Sequence, residues 1–263
     1  MSILEAIILG LVQGLTEFLP VSSSGHLELG KAILNVQNAD NLTFSVIVHG
    51  ATVLSILVVF RKDILALIRG LFAFKWNDET KFVSLLLISA IPTAIVGLLF
   101  EEQIEALFSG KILLVGCMLL ITALLLFTTR YAPKQKKEIG FFEAIIVGIA
   151  QTIAILPGIS RSGATISTSL LLGIDREKAT RFSFLMVLIP IIGATFLKTL
   201  DLFENPAALQ SEGMPMLVGF IAAFVSGLLA CSWMLRLVKK GKISYFAIYV
   251  ALAGIVAIIA GLL

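Results

Sequence analysis

EAIILGLVQGLTEFLPVSSSGH (residues 5–26) returns 138 positions later, without a gap, as EAIIVGIAQTIAILPGISRSGA (residues 143–164). Nine of the 22 aligned positions are identical: Glu, Ala, Ile, Ile, Gly, Gln, Ser, Ser and Gly. That agreement exceeds chance even in so biased a composition, and it divides the chain into two related halves, about 1–130 and about 139–263. Each copy opens on an apolar run, 3–18 or 143–156, that is followed within a few residues by Pro, Ser and Gly. At about 1.5 Å per residue neither run reaches across the roughly 30 Å hydrocarbon core of a bilayer. Both copies read as re-entrant helical hairpins, returning through roughly 24–35 and 163–173.

A bilayer is the relevant solvent because 58% of the residues are hydrophobic and only 14% charged, with a mean hydropathy of +1.03. Those values lie outside the range of soluble domains. Six further apolar runs approach the roughly 20 residues that a spanning helix needs: about 42–60, 81–100, 112–129, 177–200, 214–237 and 244–263. The expected fold class is an all-α integral membrane protein, a single membrane domain over 1–263 with six transmembrane helices and two re-entrant hairpins. Three crossings per half force the halves into opposite orientations, an inverted-topology repeat. No basic n-region or small-residue cleavage site precedes the first apolar run, so no removable signal peptide is expected.

Charge placement tests this topology independently, since cytoplasmic loops collect Lys and Arg. Arg61, Lys62, Arg69, Lys75 and Lys81 lie in the connection 61–81, and Arg130, Lys134, Lys136 and Lys137 in 130–138. Arg176, Lys178 and Arg181 follow at 176–181, and Arg236, Lys239, Lys240 and Lys242 at 236–242, making 16 of the 20 basic residues. The alternate connections are acidic, with Glu101, Glu102 and Glu105 in one and Asp201, Glu204 and Glu212 in the other. This arrangement puts both termini outside. The first hairpin then enters from outside, the second from the cytoplasm, and their tips meet near the midplane.

Irregular backbone at membrane depth is tolerated only inside protein or beside a watery cavity. The tips are therefore cavity walls. The first supplies Gln13, Glu17, Ser22, Ser23, Ser24 and His26; the second supplies Ser160, Arg161, Ser162 and Thr165 within LPGISRSGAT. Gln13 and Glu17, four apart, share one helix face. Arg161 is an arginine away from the four basic loops, and its fork of donors matches phosphate oxygens. Gly158 and Gly163 bracket a turn into a helix whose first N–H groups favour an anion. Phosphoryl transfer needs a nucleophile, a proton acceptor and charge neutralisation, which Ser23, His26 with Glu17, and Arg161 supply. Gln13 and Glu17 are also candidate ligands for Mg²⁺ or Ca²⁺ held against a diphosphate. The attacking group stays open among Ser23, His26 and an activated water, with Ser23 preferred.

Other conspicuous residues have plainer readings. Cys117 and Cys231 fall in apolar runs and read as packing residues. His49, within a spanning run, reads as a polar helix-packing contact, Pro92 and Pro190 as kinks, and Glu5 and Glu143 as partners of their helix N-termini.

QGLTEFLPVSSSGH and LPGISRSGAT resemble the two signatures of the undecaprenyl pyrophosphate phosphatases, the bacitracin-resistance family of bacteria, and the resemblance extends over essentially the whole chain. The family's acidic motif falls on Gln13 and Glu17, its serine and histidine on Ser23 and His26, and its second motif on Gly158, Ser160, Arg161, Ser162 and Thr165, with Gln13 as the glutamine variant. The resemblance implies hydrolysis of undecaprenyl diphosphate to the monophosphate and inorganic phosphate, recycling the lipid carrier for envelope polymers. It further implies a divalent cation, a bacterial plasma-membrane location and phosphate release toward the outer face. Ser22 and Ser24 join the phosphate-binding set. No nucleic-acid partner is expected, and a homodimer is compatible with the sequence although no interface is marked. The competing class is a secondary transporter or lipid flippase, since inverted repeats with broken helices at the midplane also build carriers. A carrier, however, has no use for a nucleophile beside a base.

Overall fold

Ser2 and Glu5 start the first helix reciprocally: the Ser2 hydroxyl accepts the Glu5 N–H at 3.2 Å and the Glu5 carboxylate accepts the Ser2 N–H at 2.8 Å. Glu143 repeats half of this device, accepting the Gly140 N–H at 3.1 Å. Both glutamates thus serve helix starts, as expected. The computed structural model describes residues 1–36, 41–108, 110–133, 136–193, 195–196 and 207–262. The helices are α1 (Ile3–Phe18), α2 (Ser23–Ile33), α3 (Asn41–Val59), α4 (Arg61–Leu71), α5 (Asp78–Leu99), α6 (Glu101–Glu105), α7 (Ile112–Thr128), α8 (Phe141–Ile153), α9 (Arg161–Leu171), α10 (Arg176–Met186), α11 (Ala207–Lys239) and α12 (Phe246–Leu262). No strand occurs among the described residues beyond an isolated bridge between Lys137 and Ile174.

Among the described residues, four helical stretches are long and apolar enough to cross a membrane: Asp78–Leu99, Ile112–Tyr131, Gly213–Lys239 and Ile243–Leu262. The bent pair Thr43–Val59 and Arg61–Leu71, at 76°, reaches the same measure only when taken together, and the basic connection 61–81 begins with a helix, α4, in place of the expected loop. The expected run 177–200 is interrupted. α10 ends at Met186, a turn sits at Val187, and helix resumes at Leu188. Pro190 explains the break, because its ring collides with the carbonyl four residues back, that of Met186. Part of this run, residue 194 and residues 197–200, lies outside the described residues, as do Asp201 and Glu204. α5, by contrast, runs unbroken through Pro92. Outward-facing apolar side chains such as Leu87, Leu124, Leu229 and Val256 are exposed along these helices, a surface suited to lipid.

Each short hairpin helix packs against a long one from the other half of the chain: α1 on α11 and α8 on α5. The matched glycines permit it. A Cβ at Gly10 would lie 2.4 Å from the Gly219 carbonyl oxygen, and one at Gly148 would lie 2.4 Å from that of Ser89. α7 and α12 close the bundle. At one end the four basic segments converge: Arg181 pairs with Asp63 at 2.8 Å, Lys239 with Glu177 at 2.9 Å, and Lys178 with Glu138. Such exposed pairs contribute at most about 1 kcal/mol each. Their value is positional, since they place all four segments on one face.

Candidate active site

α1 stops at Leu19 and Pro20, and the chain turns back through Ser22, whose φ of 70° is unusual for a residue with a side chain. Its hydroxyl accepts the Gly25 N–H at 3.2 Å and so starts α2. The second hairpin turns through Gly158 (φ 98°), where a Cβ would stand 2.5 Å from the Val115 carbonyl oxygen. Only glycine fits there. Ser160 caps α9 by accepting the Gly163 N–H at 3.0 Å. Thr122 of α7 clamps this turn, donating to the Gly158 carbonyl at 3.1 Å and accepting the Ser160 N–H at 3.0 Å. The two tips touch directly. Ser162 Oγ donates to the Leu19 carbonyl at 3.0 Å, and Gly25 abuts Gly158.

Glu17 sits at the meeting point, 4% exposed. Its Oε1 pairs with the Arg161 guanidinium across the two hairpins. Its Oε2 accepts the Ser23 hydroxyl at 2.6 Å and the Gln13 amide at 2.8 Å, with His49 Nε2 at 3.7 Å. Four partners of one carboxylate thus come from α1, α2, α3 and α9. A buried carboxylate is tolerable only with such partners. The preferred reading of His49 as a packing contact missed its place here. The signal was an ionisable residue inside an apolar run, which is a site candidate by default.

The remaining expected site residues take other places. Ser22 and Ser24 hydroxyls lie 3.3 Å apart at the first tip, and those of Ser160 and Ser162 lie 3.4 Å apart at the second. Thr165 donates back to the Arg161 carbonyl at 2.9 Å. His26 faces away from Glu17: Nδ1 is 2.8 Å from the Ser22 carbonyl, Nε2 is 2.8 Å from the Tyr249 hydroxyl, and the two rings stack with centroids 5.6 Å apart. Tyr249, on α12, had no motif to announce it.

Beside the ion pair lies a cavity of about 10 Å³, lined by Glu17, Phe18, Ile56, Arg161, Ser162, Ser183, Phe184 and Val187. That is room for about one water and not for a phosphate. The Arg161 Nη2 that Glu17 holds is free for an anion only when this pair opens. For a divalent cation the fit is partial. No group of three His, Cys, Asp or Glu side chains gathers among the described residues, but Gln13 Oε1 is buried without a partner beside Glu17. A carboxylate and an amide oxygen are hard donors of the kind Mg²⁺ and Ca²⁺ prefer, and they suffice where a diphosphate and water supply the rest.

Comparison with known proteins extends this picture. The chain is 57% identical to an undecaprenyl-diphosphatase of Christiangramia forsetii, with 98% of each chain covered. It is 52% identical to one of Bacteroides fragilis, with 97% of each covered, and 41% identical to one of Salinibacter ruber, with 95% of this chain and 96% of that one covered. The family model described as bacitracin resistance protein BacA matches residues 6–256, a span that takes in both hairpin tips, and the chain belongs to that family.

Proposed function

We propose that this protein is a membrane-embedded undecaprenyl-diphosphatase, releasing inorganic phosphate from the diphosphate and returning the monophosphate lipid carrier to envelope synthesis. The observation that carries the reading is Ser23 Oγ donating to Glu17 at 2.6 Å while Arg161 holds the other carboxylate oxygen. A nucleophile, its base and a cation meet at one point. That constellation has a task in hydrolysis and none in simple carriage. The names of the relatives point the same way.

In the proposed reaction Arg161 transfers from Glu17 to the terminal phosphate. Ser23 Oγ then attacks that phosphorus in line, and its proton passes to Glu17. The phosphoanhydride bond to the monophosphate lipid breaks, and the leaving oxygen carries the electron pair away. Glu17 hands that proton to the departing phosphate oxygen and is a carboxylate again. It then takes a proton from water, which attacks the phosphoserine, breaks its P–Oγ bond and frees inorganic phosphate, while Glu17 returns the proton to Ser23 Oγ. His26, held between Ser22 and Tyr249, keeps the first tip in its strained turn and serves as a positioning residue. Ser22, Ser24, Ser160, Ser162, Thr165 and the backbone at Gly158 form the proposed phosphate cradle. Glu17 and Gln13 would hold a Mg²⁺ or Ca²⁺ ion, which neutralises diphosphate charge when bound.

The proposed setting is the bacterial plasma membrane, with six spans formed by α3, α5, α7, the interrupted run from α10, α11 and α12. α1 and α8, of 16 and 13 residues, would be about 24 and 20 Å long. Those lengths support re-entrance. The crossed packing of α1 on α11 and α8 on α5 supports an inverted repeat. By the positive-inside rule the basic face is cytoplasmic, both termini are outside, and the site opens outward.

The test is phosphate release from undecaprenyl diphosphate by the purified protein in detergent, with and without chelator. Release that depends on the added cation and disappears in Glu17→Gln and Arg161→Ala, both still folded, is the expected result. No release by the wild type across tail lengths and cations would overturn the proposal.

A further inference from the structure

Buried helical hydroxyls in this chain usually donate to the carbonyl one turn back. Ser55, Thr165, Ser169, Thr180 and Ser226 all do so, to residues 51, 161, 165, 176 and 222. Ser183 on α10 does not. It is 4% exposed, and its Oγ is buried without a hydrogen-bond partner among the described residues. Native folds rarely leave a buried hydroxyl unmet, and such a group asks for a reason.

Its location supplies one. Ser183 lines the small cavity with Glu17, Arg161 and Ser162. Glu17 is occupied by Gln13, Ser23 and Arg161, and Ser162 donates to the Leu19 carbonyl. That leaves Ser183 as the lining hydroxyl with nothing to bond. The neighbouring Phe184 packs edge-on against Phe18, the residue after Glu17, with centroids 5.7 Å apart, and against Phe60 at 6.0 Å. These contacts hold α10 where Ser183 lines the cavity together with Glu17. Ser167 also lacks a partner, but it does not line this cavity.

The internal repeat sharpens the point. The 138-residue offset that relates the hairpins also carries Phe44–Ser45 onto Phe182–Ser183. Phe44 and Phe182 are both buried. The first-half hydroxyl is in use, accepting from Lys31 Nζ at 3.2 Å. Its second-half counterpart is held beside the reaction centre.

We infer that Ser183 is a further substrate-binding residue: when Arg161 moves from Glu17 to the terminal phosphate, Ser183 Oγ donates to a non-bridging oxygen of that phosphate from α10. The inference rests on the phosphatase reading and adds a donor from outside both hairpins.

Ser183→Ala tests it by removing one oxygen atom. The expected result is a fall in kcat/KM of about 10- to 100-fold, the range for a hydrogen bond to a charged group. Inorganic phosphate, used as a competitive inhibitor, should weaken by a similar factor. The melting temperature in detergent should stay level or rise, because a hydroxyl with no structural partner is being removed. Ser183→Thr, which keeps the donor, should recover more activity than the alanine variant. A Ser183→Ala enzyme within twofold of wild type in both kcat/KM and phosphate inhibition overturns the inference. So does a melting temperature that falls together with activity, since that marks a packing role. A wild type that releases no phosphate is a separate outcome, visible before any variant is made, and it removes the phosphatase reading and this inference together.

Discussion

Ser22 and Ser160 cap their helices alike, each accepting the N–H of the glycine three residues on, and each has its hydroxyl 3.3 or 3.4 Å from that of the serine two residues on. Between them the tips part company. Ser23 stands where the second tip has Arg161, Glu17 where it has Ile155, and His26 where it has Ala164. The shared serines and glycine cap the turns; of the unshared residues Ser23 and Arg161 meet at the Glu17 carboxylate, while His26 turns to Tyr249. In the proposed reaction two copies of one frame divide the labour: one carries the attacking oxygen and its base, the other the cation. The turns differ in backbone too, since Ser22 has φ 70° and Ser160 has φ −74°. The positive angle falls on the residue next to the proposed nucleophile, where strain is commonly stored.

The largest effect should come from removing what only the first tip has. Ser23→Ala is expected to lower phosphate release more than about 10⁴-fold, as loss of a covalent nucleophile does. Residual activity within about 100-fold would instead favour direct attack by water, and a rapid-quench search for phosphoserine decides between them. Removing what only the second tip has comes next. Arg161→Ala should cost about 10²–10³-fold in kcat, the range for a lost charge-stabilising donor. Arg161→Lys should recover part of it, because a point charge replaces a fork.

His26→Ala, which frees the first tip without touching Glu17, should cost about tenfold, and Tyr249→Phe less, since hydrogen bonds of this kind contribute about 1 kcal/mol. Equal kinetics in His26→Ala and Ser23→Ala would break the assignment of His26 to positioning. The smallest difference concerns the caps. Ser22→Gly loses a cap but relieves a left-handed φ, whereas Ser160→Gly only loses a cap. Ser22→Gly should therefore lie on the stabilising side of Ser160→Gly by a few tenths of a kcal/mol to about 1 kcal/mol, read by thermal unfolding.

Much of this was readable before any coordinates. The ungapped repeat announced the two hairpins, and α1, α2, α8 and α9 lie where it put them. Charge sorting announced the shared basic face that the Asp63, Glu138 and Glu177 pairs now join. Glu17, Ser23 and Arg161 stood out because polar groups in an apolar run need partners. What escaped was set by tertiary packing. α4 is amphipathic, and the chain bends 76° to form it, which periodicity in a basic connection did not reveal. Ser183 and Tyr249 sit in ordinary helical sequence, and only the rotation of α10 and α12 aims them. His26 was readable as part of the tip, but its bond to Tyr249 depends on a helix 223 residues away.

The Glu17–Arg161 pair has one further consequence. A guanidinium that is to receive a diphosphate lipid must also refuse the other anions that could reach it. Here its seat is already filled by a placeholder of the protein's own, so any ligand binds by exchange of one anion for another. A phosphodiester headgroup, with a single negative charge, gives Arg161 no more than the carboxylate does. A terminal phosphate with greater charge gives more and tips the exchange. If Arg161 binds the terminal phosphate as proposed, the resting ion pair acts as a valence filter, turning away singly charged heads while admitting one that carries an extra charge.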